Sequence, residues 1–460
     1  MRSASEIILV RVSSEVSRDI RKRFYERIAH APLVDLERIG SAKLIGSINI
    51  DVPRIVSGGT VLPALLISSI TLLGMLSFLM YLNVEVFKLV IMAIFIGAIC
   101  YQIPMMIGGR IFHRSREAHD ELQHSIRGLI YGIKELKLDV KKRAAYFDKN
   151  LHAQELKILK HDKLANTVVR TTMSFGDLIC FFVIGAVSFV FINYHAISKQ
   201  ELVGVIMALL YVTGPVAIML ATVPTVTIAS ISYKKLNQLL QSIPSERCNS
   251  ELVDLPPWET LKFSNIEYQY PSYNDEPGFK VGPLNFEICK RQVSFIIGGN
   301  GSGKSTMSKL LTMHYTATAG KLLFGKTLVT SENIVSCRSL VGAIYSDYHL
   351  FDEFLIDLSD ELRLKAEKYL EMLQLSHKVK IQDGRFTTID LSDGQKKRLA
   401  LLVSLLEDKE FYLFDEWAAD QDPEFKDIFY KEILLNMKKS GKAVVVISHD
   451  SAYFDVADQI

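Results

Sequence analysis

Residues 298–305 read GGNGSGKS and fit the pattern G-x-x-x-x-G-K-[ST] at every defined position. Glycines at these places let backbone N–H groups converge on phosphate oxygens, and a following helix adds positive potential at its N-terminus. Gly298, Asn300, Gly301, Ser302, Gly303 and Thr306 are therefore expected to cradle a polyphosphate. Lys304 should reach its β- and γ-phosphates, and Ser305 should hold Mg²⁺. Residues 410–416, EFYLFDE, form an apolar run ending in two carboxylates. Asp415 is suited to Mg²⁺ through water, and Glu416 to polarising an attacking water as general base. Residues 442–450, KAVVVISHD, end a third apolar run with His449, which is placed to contact a γ-phosphate.

These side chains work only if strands present them at one edge. The stretch before the glycine loop is strand-like and the stretch after it is helix-like, which is the context the loop requires. Beyond residue 257 strand and helix patterns alternate, indicating an α/β domain with parallel strands. Residues 241–257, QSIPSERCNSELVDLPP, read as a linker.

The first half has another character. The chain of 460 residues is 49% hydrophobic, and the excess is concentrated before the linker. Residues 61–82 carry no charge and are long enough to cross a hydrocarbon core of about 30 Å. After a short polar break at 83–88, residues 89–109 form a second uncharged span. A third runs near 173–194 and a fourth near 202–231, the last read as broken at Gly214-Pro215 and at Pro224. Asp177, near the start of the third span, suits a snorkelling or capping role.

Residues 1–60 and 110–172 are rich in Lys and Arg, while the loops between paired spans hold one Lys each. This asymmetry places the long segments in the cytoplasm. An even number of spans returns the second half to the same side, where ATP is. The helices flanking 110–172 should continue past the membrane and meet near 132–138, GIKELKL. The turns near residues 32–40 and 132–141 are the candidate contact elements toward the soluble domain.

Other classes fall away. A net charge of +2 calls for no nucleic acid. The five cysteines have no metal spacing and read as small buried hydrophobes. No cleavable signal peptide opens the chain.

Residues 391–395, LSDGQ, precede a basic helix starting KKR. With the glycine loop, the acidic strand and His449 in this order, the chain resembles the ABC transporter superfamily. The likeness is strong over residues 261–460 and rests on hydropathy over 1–240. It implies a membrane all-α helical bundle followed by an α/β P-loop nucleotide-binding domain. It also implies ATP and Mg²⁺ as cofactors and a head-to-tail dimer of ATPase domains with a second copy. Ser392, Gly394 and Gln395 would then close the partner's ATP site, and Asp422 would touch the facing subunit. Tyr270, in EYQYP, matches the aromatic that stacks on adenine.

The sequence departs from the family pattern in several ways. Ser346 stands where a glutamine is usual, with Asp347 or water as substitutes. Asp393 replaces the usual glycine of the signature, a change expected to survive because Asp tolerates left-handed backbone. Four spans are visible against the usual six. The domain expected over 1–240 would thus lack its first two spans, and the domain expected over 258–460 would be truncated at its C-terminus.

Residues 416–425, EWAADQDPEF, together with YSDYHLF at 345–351 and GIKELKL, look like bacterial exporters of cyclic or non-ribosomal peptides, siderophore peptides and lasso-type microcins. The expectation is ATP-driven export of a peptide-like substrate by a homodimeric half-transporter. It would sit in the lipid bilayer of the bacterial inner membrane with its ATPase in the cytoplasm. An inactive fragment, or an exporter of another amphipathic small molecule or lipid, is the alternative. Soluble ATPases of DNA repair or translation lack such spans, and importers usually keep permease and ATPase on separate chains.

Overall fold

The computed structural model describes residues 2–186, 189, 199–246, 252–271 and 278–460. The chain divides into two compact units. One contains Met1–Phe24 and Ile45–Leu240, the other Tyr25–Leu44 and Gln241–Ile460.

The first unit is helical. It holds most of α1 (Arg2–Ala29), while α2 (Leu33–Ile39) and most of α3 (Ser41–Gly46) fall in the second. A π-helical turn, Ser47–Asp51, leads into α4 (Val52–Leu82) and then α5 (Val84–Tyr131). Only Asn83 separates α4 from α5, so the polar break at 83–88 shrinks to one residue. Its Oδ1 accepts hydrogen bonds from the backbone N–H of Glu85 and Val86 at 3.0 and 3.1 Å, which caps the new helix at once.

Two short helices follow at the turn, α6 (Ile133–Leu138) and α7 (Val140–Tyr146), then α8 (Ala153–Ala186) and α9 (Lys199–Ser242). The end of the third span and the start of the loop after it, residues 187–188 and 190–198, lie outside the described residues, and the side chain of Asp177 is not described. Leu79, Val86, Val90, Val205, Ala208 and Leu209 form a buried cluster among α4, α5 and α9. Leu66, Ile67, Ile70, Leu73 and Phe95 remain well exposed, an apolar surface suited to lipid. Among the described residues, two helical runs, Ser41–Leu82 and Val203–Ser242, are long and apolar enough to cross a membrane.

The expected breaks at Pro215 and Pro224 are corrected: α9 runs through both. Prolines are tolerated inside apolar spans because neighbouring helices and Ser or Thr side chains take up the freed backbone groups. Gly58 shows how closely such helices approach. A Cβ there would lie 2.1 Å from the Ala229 methyl, so α4 and α9 meet where a side chain is missing.

In the second unit, β1 (Thr260–Gln269) and β2 (Lys280–Cys289) pair antiparallel, and β3 (Gln292–Ile296) leads into α10 (Lys304–Leu311). Next come β4 (Ala319–Phe324), β5 (Thr327–Leu328), α11 (Ile334–Ser339) and β6 (Val341–Ile344). Then follow α12 (Asp360–Met372), the hairpin β7 (Ile381–Gln382) and β8 (Arg385–Phe386), and α13 (Asp393–Leu406). The chain ends with β9 (Phe411–Asp415), α14 (Pro423–Asp427), α15 (Leu434–Lys439) and β10 (Ala443–Ile447).

One sheet is antiparallel in the order β2-β1-β4-β5, the other parallel in the order β3-β10-β9-β6. Every residue of β9 and β10 is buried, as continuous apolar runs in a covered parallel sheet should be. At the free side of β3, the N–H of Phe295 donates to Gln459 O at 2.8 Å.

Of the cysteines expected to be buried, Cys337 is buried, Cys289 half-buried and Cys100 exposed on the apolar surface of α5. Cys248 and the side chain of Cys180 lie outside what is described.

Candidate nucleotide site

The parallel sheet fixes the site through its register. Ile447 lies opposite Ile296 on one side and Asp415 on the other, and Ile344 lies opposite Phe414. The C-terminal ends of all four strands therefore finish nearly level, where ligands of such sheets gather. The glycine loop follows β3, Ser346 follows β6, Glu416 follows β9 and His449 follows β10.

A cavity of about 460 Å³ opens there, lined by Tyr270, Phe279, Asn300, Gly301, Gly303, Lys304, Ser305, Thr306, Ser346, Asp415 and Glu416. Gly303 has φ 94°, and a Cβ on it would lie 3.0 Å from a Val281 methyl, so both backbone and space call for glycine. Lys304 Nζ donates to the carbonyls of Gly298 and Gly299 at 2.9 and 3.1 Å, which holds the ammonium over the loop. The Tyr270 hydroxyl hydrogen bonds with Thr306 Oγ1 at 3.0 Å.

Asp415 is a buried carboxylate at the end of β9. Burial raises its pKa above the ordinary carboxylate value, with Glu416 and Asp347 adding to the rise and Ser308 and Lys304 opposing it. Glu416 adopts a left-handed backbone, φ 50°, uncommon for a residue with a side chain. Its N–H donates to Ile447 O at 3.0 Å, and its carbonyl accepts from Lys397 Nζ at 3.0 Å. Its Oε1 lies 3.6 Å from Nε2 of His449.

Ser392, Gly394, Gln395 and Asp422 do not line this cavity; they gather at the start of α13. Ser392 caps α13, and it and Gln395 satisfy each other's backbone N–H groups. Asp393 is the first residue of the helix and has no left-handed backbone; its acceptance needs correction. Its carboxylate sits in the first helical turn, where the helix dipole favours negative charge. Gly394 is needed for packing: a Cβ would lie 2.7 Å from the Asp420 carbonyl oxygen. Asp422 caps α14 by accepting from the Phe425 N–H at 2.9 Å, and it pairs with Arg398 at 2.5 Å.

The sequence reading omitted Phe279 and Lys397. Phe279 is an exposed aromatic at the mouth of the loop, and its one signal was an aromatic next to the first residue of β2. Lys397 belongs to the KKR run, read only as a basic helix start. It is buried and also pairs with Asp420 at 2.7 Å, tying α13 to the residues after β9.

The comparisons with known proteins agree with this geometry. Residues 281–419 match the family described as ABC transporter. The whole chain is 29% identical over 471 residues to the ATP-binding protein SyrD of Pseudomonas syringae pv. syringae, covering 100% of this chain and 83% of that protein. It is 22% identical over 481 residues to the ATP-dependent lipid A-core flippase of Shewanella oneidensis, covering 98% and 76%. The second half is 32% identical over 202 residues to the energy-coupling factor transporter ATP-binding protein EcfA1 of Mycoplasma pneumoniae, covering 42% of this chain and 72% of that protein. The fold is shared with a bacterial Atm1-family ABC exporter solved with ATP bound, at a TM-score of 0.77 and 17% identity, over 99% of this chain and 82% of that one.

The chain belongs to the ABC transporter family, with a helical membrane region fused to its ATPase. It binds ATP, and ATP hydrolysis is coupled to transport across a membrane.

Proposed function

We propose that this protein exports a peptide-like substrate across the bacterial inner membrane, working as a homodimer with its ATPase in the cytoplasm. The observation that carries the reading is one cavity where Lys304, Ser305, Asp415, Glu416 and Ser346 converge, on the same chain as helices of bilayer length. In the chemical step, Glu416 takes a proton from the water that attacks the γ-phosphorus, and ADP leaves. His449 orients that carboxylate, Lys304 balances charge on the phosphate oxygens, and Tyr270 with Phe279 offers aromatic surface for the base.

Ser305 and Asp415 are hard oxygen donors beside the phosphate loop, and a buried carboxylate there fits Mg²⁺. The ion would neutralise charge on the β- and γ-oxygens. Ser346 lines the same wall and can reach that region only through water, since its side chain is short. Ser392 and Asp393 stand exposed at the start of α13, outside the chain's own cavity. Their position supports closure of a site belonging to a second copy. Nucleotide draws the two ATPases together, and the membrane helices follow because ATP binds the closed pair more tightly.

The peptide cargo rests on the resemblance of 132–138, 345–351 and 416–425 to peptide exporters. A lipid is the second reading, favoured by whole-chain similarity to a lipid A-core flippase. Vesicles containing the purified chain would be given ATP with a labelled cyclic peptide or with a labelled lipid. ATP-dependent movement of the peptide, lost in Glu416→Gln, supports the first reading; movement of the lipid alone overturns it.

A further inference from the structure

His449 stands just past the end of β10 with 49% of its side chain exposed, so packing sets the direction of its ring only weakly. The residues on either side of it are held more firmly. The Asp450 N–H donates to Ser448 Oγ at 3.0 Å, the Ser448 and Tyr430 hydroxyls hydrogen bond at 2.9 Å, and the Tyr430 hydroxyl donates to Asp450 Oδ2 at 3.3 Å. Each hydroxyl has one proton, so with Tyr430 donating to the carboxylate, Ser448 donates to Tyr430. The three bonds then run head to tail and close a ring that spans the backbone of His449. Bonds linked in this way polarise and strengthen one another. Burial pushes the Tyr430 pKa up and the Asp450 carboxylate adds to the rise, against the Ser448 hydroxyl, so Tyr430 stays protonated as the donor.

Lys426 ties this ring to the chain that carries Glu416. Its Nζ donates to both carboxylate oxygens of Asp450, each at 3.0 Å. Lys426 lies on α14, which Asp422 caps, and Tyr430 lies on the π-helical turn Ile428–Ile433 that continues it. Four positions apart on one helical run, the two side chains face the same side and reach Asp450 together. The Tyr430 ring is fully buried, stacks on Tyr453 at 4.3 Å and meets Phe295 of β3 at 5.9 Å, so the ring's hydroxyl is fixed from below. The Lys426 and Asp450 side chains are partly shielded, where an ion pair keeps more of its strength than at an open surface. Glu416 is already fixed by the Ile447 carbonyl and the Lys397 ammonium. The Lys426–Asp450 pair therefore adds a bond between the two chain segments that carry Glu416 and His449.

We propose that Lys426, through its grip on Asp450, is a positioning residue that aims His449 at the Glu416 carboxylate. This rests on the reading above in which His449 orients that carboxylate. Lys426 does not line the nucleotide cavity, so it acts through the backbone it anchors and not on the phosphates. Without its ammonium, or without the charge on Asp450, the hydrogen-bonded ring loses its hold on α14. The His449 ring then spends time turned away from Glu416. Nucleotide still binds, but Glu416 takes the proton from water less often.

The test uses the full chain in lipid nanodiscs, with ATP binding measured on filters beside steady-state phosphate release. Lys426→Met and Asp450→Asn should each keep ATP affinity and KM within about twofold while kcat falls about three- to tenfold, no further than on loss of His449 itself. Lys426→Arg, which keeps the charge, should recover most of that loss. Asp450→Asn is nearly isosteric and keeps the test open should Lys426→Met lower the melting temperature. The deciding measurement repeats both substitutions in a His449→Ala chain. There they should lower kcat by less than about 1.5-fold, because the residue they position is gone. A bond that serves folding alone would cost the same factor in both backgrounds. That result, or an unchanged kcat in both Lys426→Met and Asp450→Asn, overturns the proposal. Full turnover in His449→Ala alone instead removes the reading of His449, and the proposal with it.

Discussion

Glu416 and His449 face each other across the ends of β9 and β10, Oε1 to Nε2 at 3.6 Å, with Glu416 held at φ 50°. The left-handed backbone costs of order 1 kcal/mol or more, and the neighbouring contacts must impose it. Those contacts are the Ile447 carbonyl and the Lys397 ammonium. The carboxylate is thus aimed by the sheet on one side and by α13 on the other. Glu416→Gln keeps the shape and removes the proposed general base. Steady-state ATPase should fall at least ~100-fold, the scale of general-base loss, while ATP binding persists. His449→Ala removes the group proposed to orient that carboxylate and leaves the carboxylate itself, so a smaller loss of about tenfold is expected, below that scale. A filter-binding assay run beside phosphate release checks both, and Glu416→Gln with full turnover would show that the base lies elsewhere.

Asp415 makes activity and stability pull apart. Its pKa is raised, chiefly by burial, so its ionised form opposes folding. By linkage, a raised pKa contributes stability below the unfolded value, about 3.9 for Asp, and that contribution is lost as pH rises through the folded value. Above the folded value the nucleotide-free protein therefore carries a charged group it holds poorly. Asp415→Asn should raise the melting temperature without nucleotide and lower ATPase by ~100-fold or more, because it weakens the proposed hold on the Mg²⁺ that would offset charge on the phosphates. A lower melting temperature in the variant would mean that the carboxylate stabilises the empty fold.

His314 gives the opposite sign. It hydrogen bonds with Thr312 Oγ1 at 2.8 Å and lies 3.0 Å from the Tyr345 hydroxyl, inside the ATPase unit. Burial lowers its pKa and the Arg338 guanidinium lowers it further, against weaker support from Glu246. A depressed histidine contributes stability above its unfolded value, about 6.5, and that stability is lost as pH falls toward the folded value. Unfolding by urea should show the midpoint declining below that pH in the unaltered chain. In His314→Gln the decline should be shallower. Parallel acid limbs would mean that other groups govern the pH response.

Sequence reading succeeded where a residue type answers a local need. Gly303 must turn with positive φ, and the run from Phe411 to Phe414 must be buried on both faces; neither depends on distant partners. It fell short where identity depends on register or on a far contact. Glu37 meets Lys309 and Tyr315, 272 and 278 positions away, so nothing in LVDLERI marks it. Phe279 enters the cavity because β1 and β2 pair beside the loop, and Lys397 matters because α13 packs on the chain after β9. Pro215 and Pro224 misled because rules learned in water overstate the cost of proline inside an apolar helix.

Gly394 tests whether the signature turn is held by packing as well as by any partner. It follows Asp393 in the first turn of α13, with ordinary backbone angles, so a side chain is barred by space rather than by conformation. An added Cβ would stand 2.7 Å from the carbonyl oxygen of Asp420, and backbone cannot step aside as a flexible side chain can. The Gly394 carbonyl also accepts from Gln421 Nε2 at 3.0 Å, and Gln421 in turn accepts from Arg398 Nε at 2.8 Å. Gly394→Ala should therefore push α13 off the Asp420 turn and disturb that chain of bonds, costing ~1–3 kcal/mol as overpacking does. Through Lys397 the shift reaches the Glu416 carbonyl, so ATPase should drop even in the chain's own site. Urea unfolding of the nucleotide-free protein separates the two effects. A loss of ATPase with an unchanged midpoint would assign Gly394 to the partner's site alone; a lowered midpoint shows that its first duty is the close approach of two backbones.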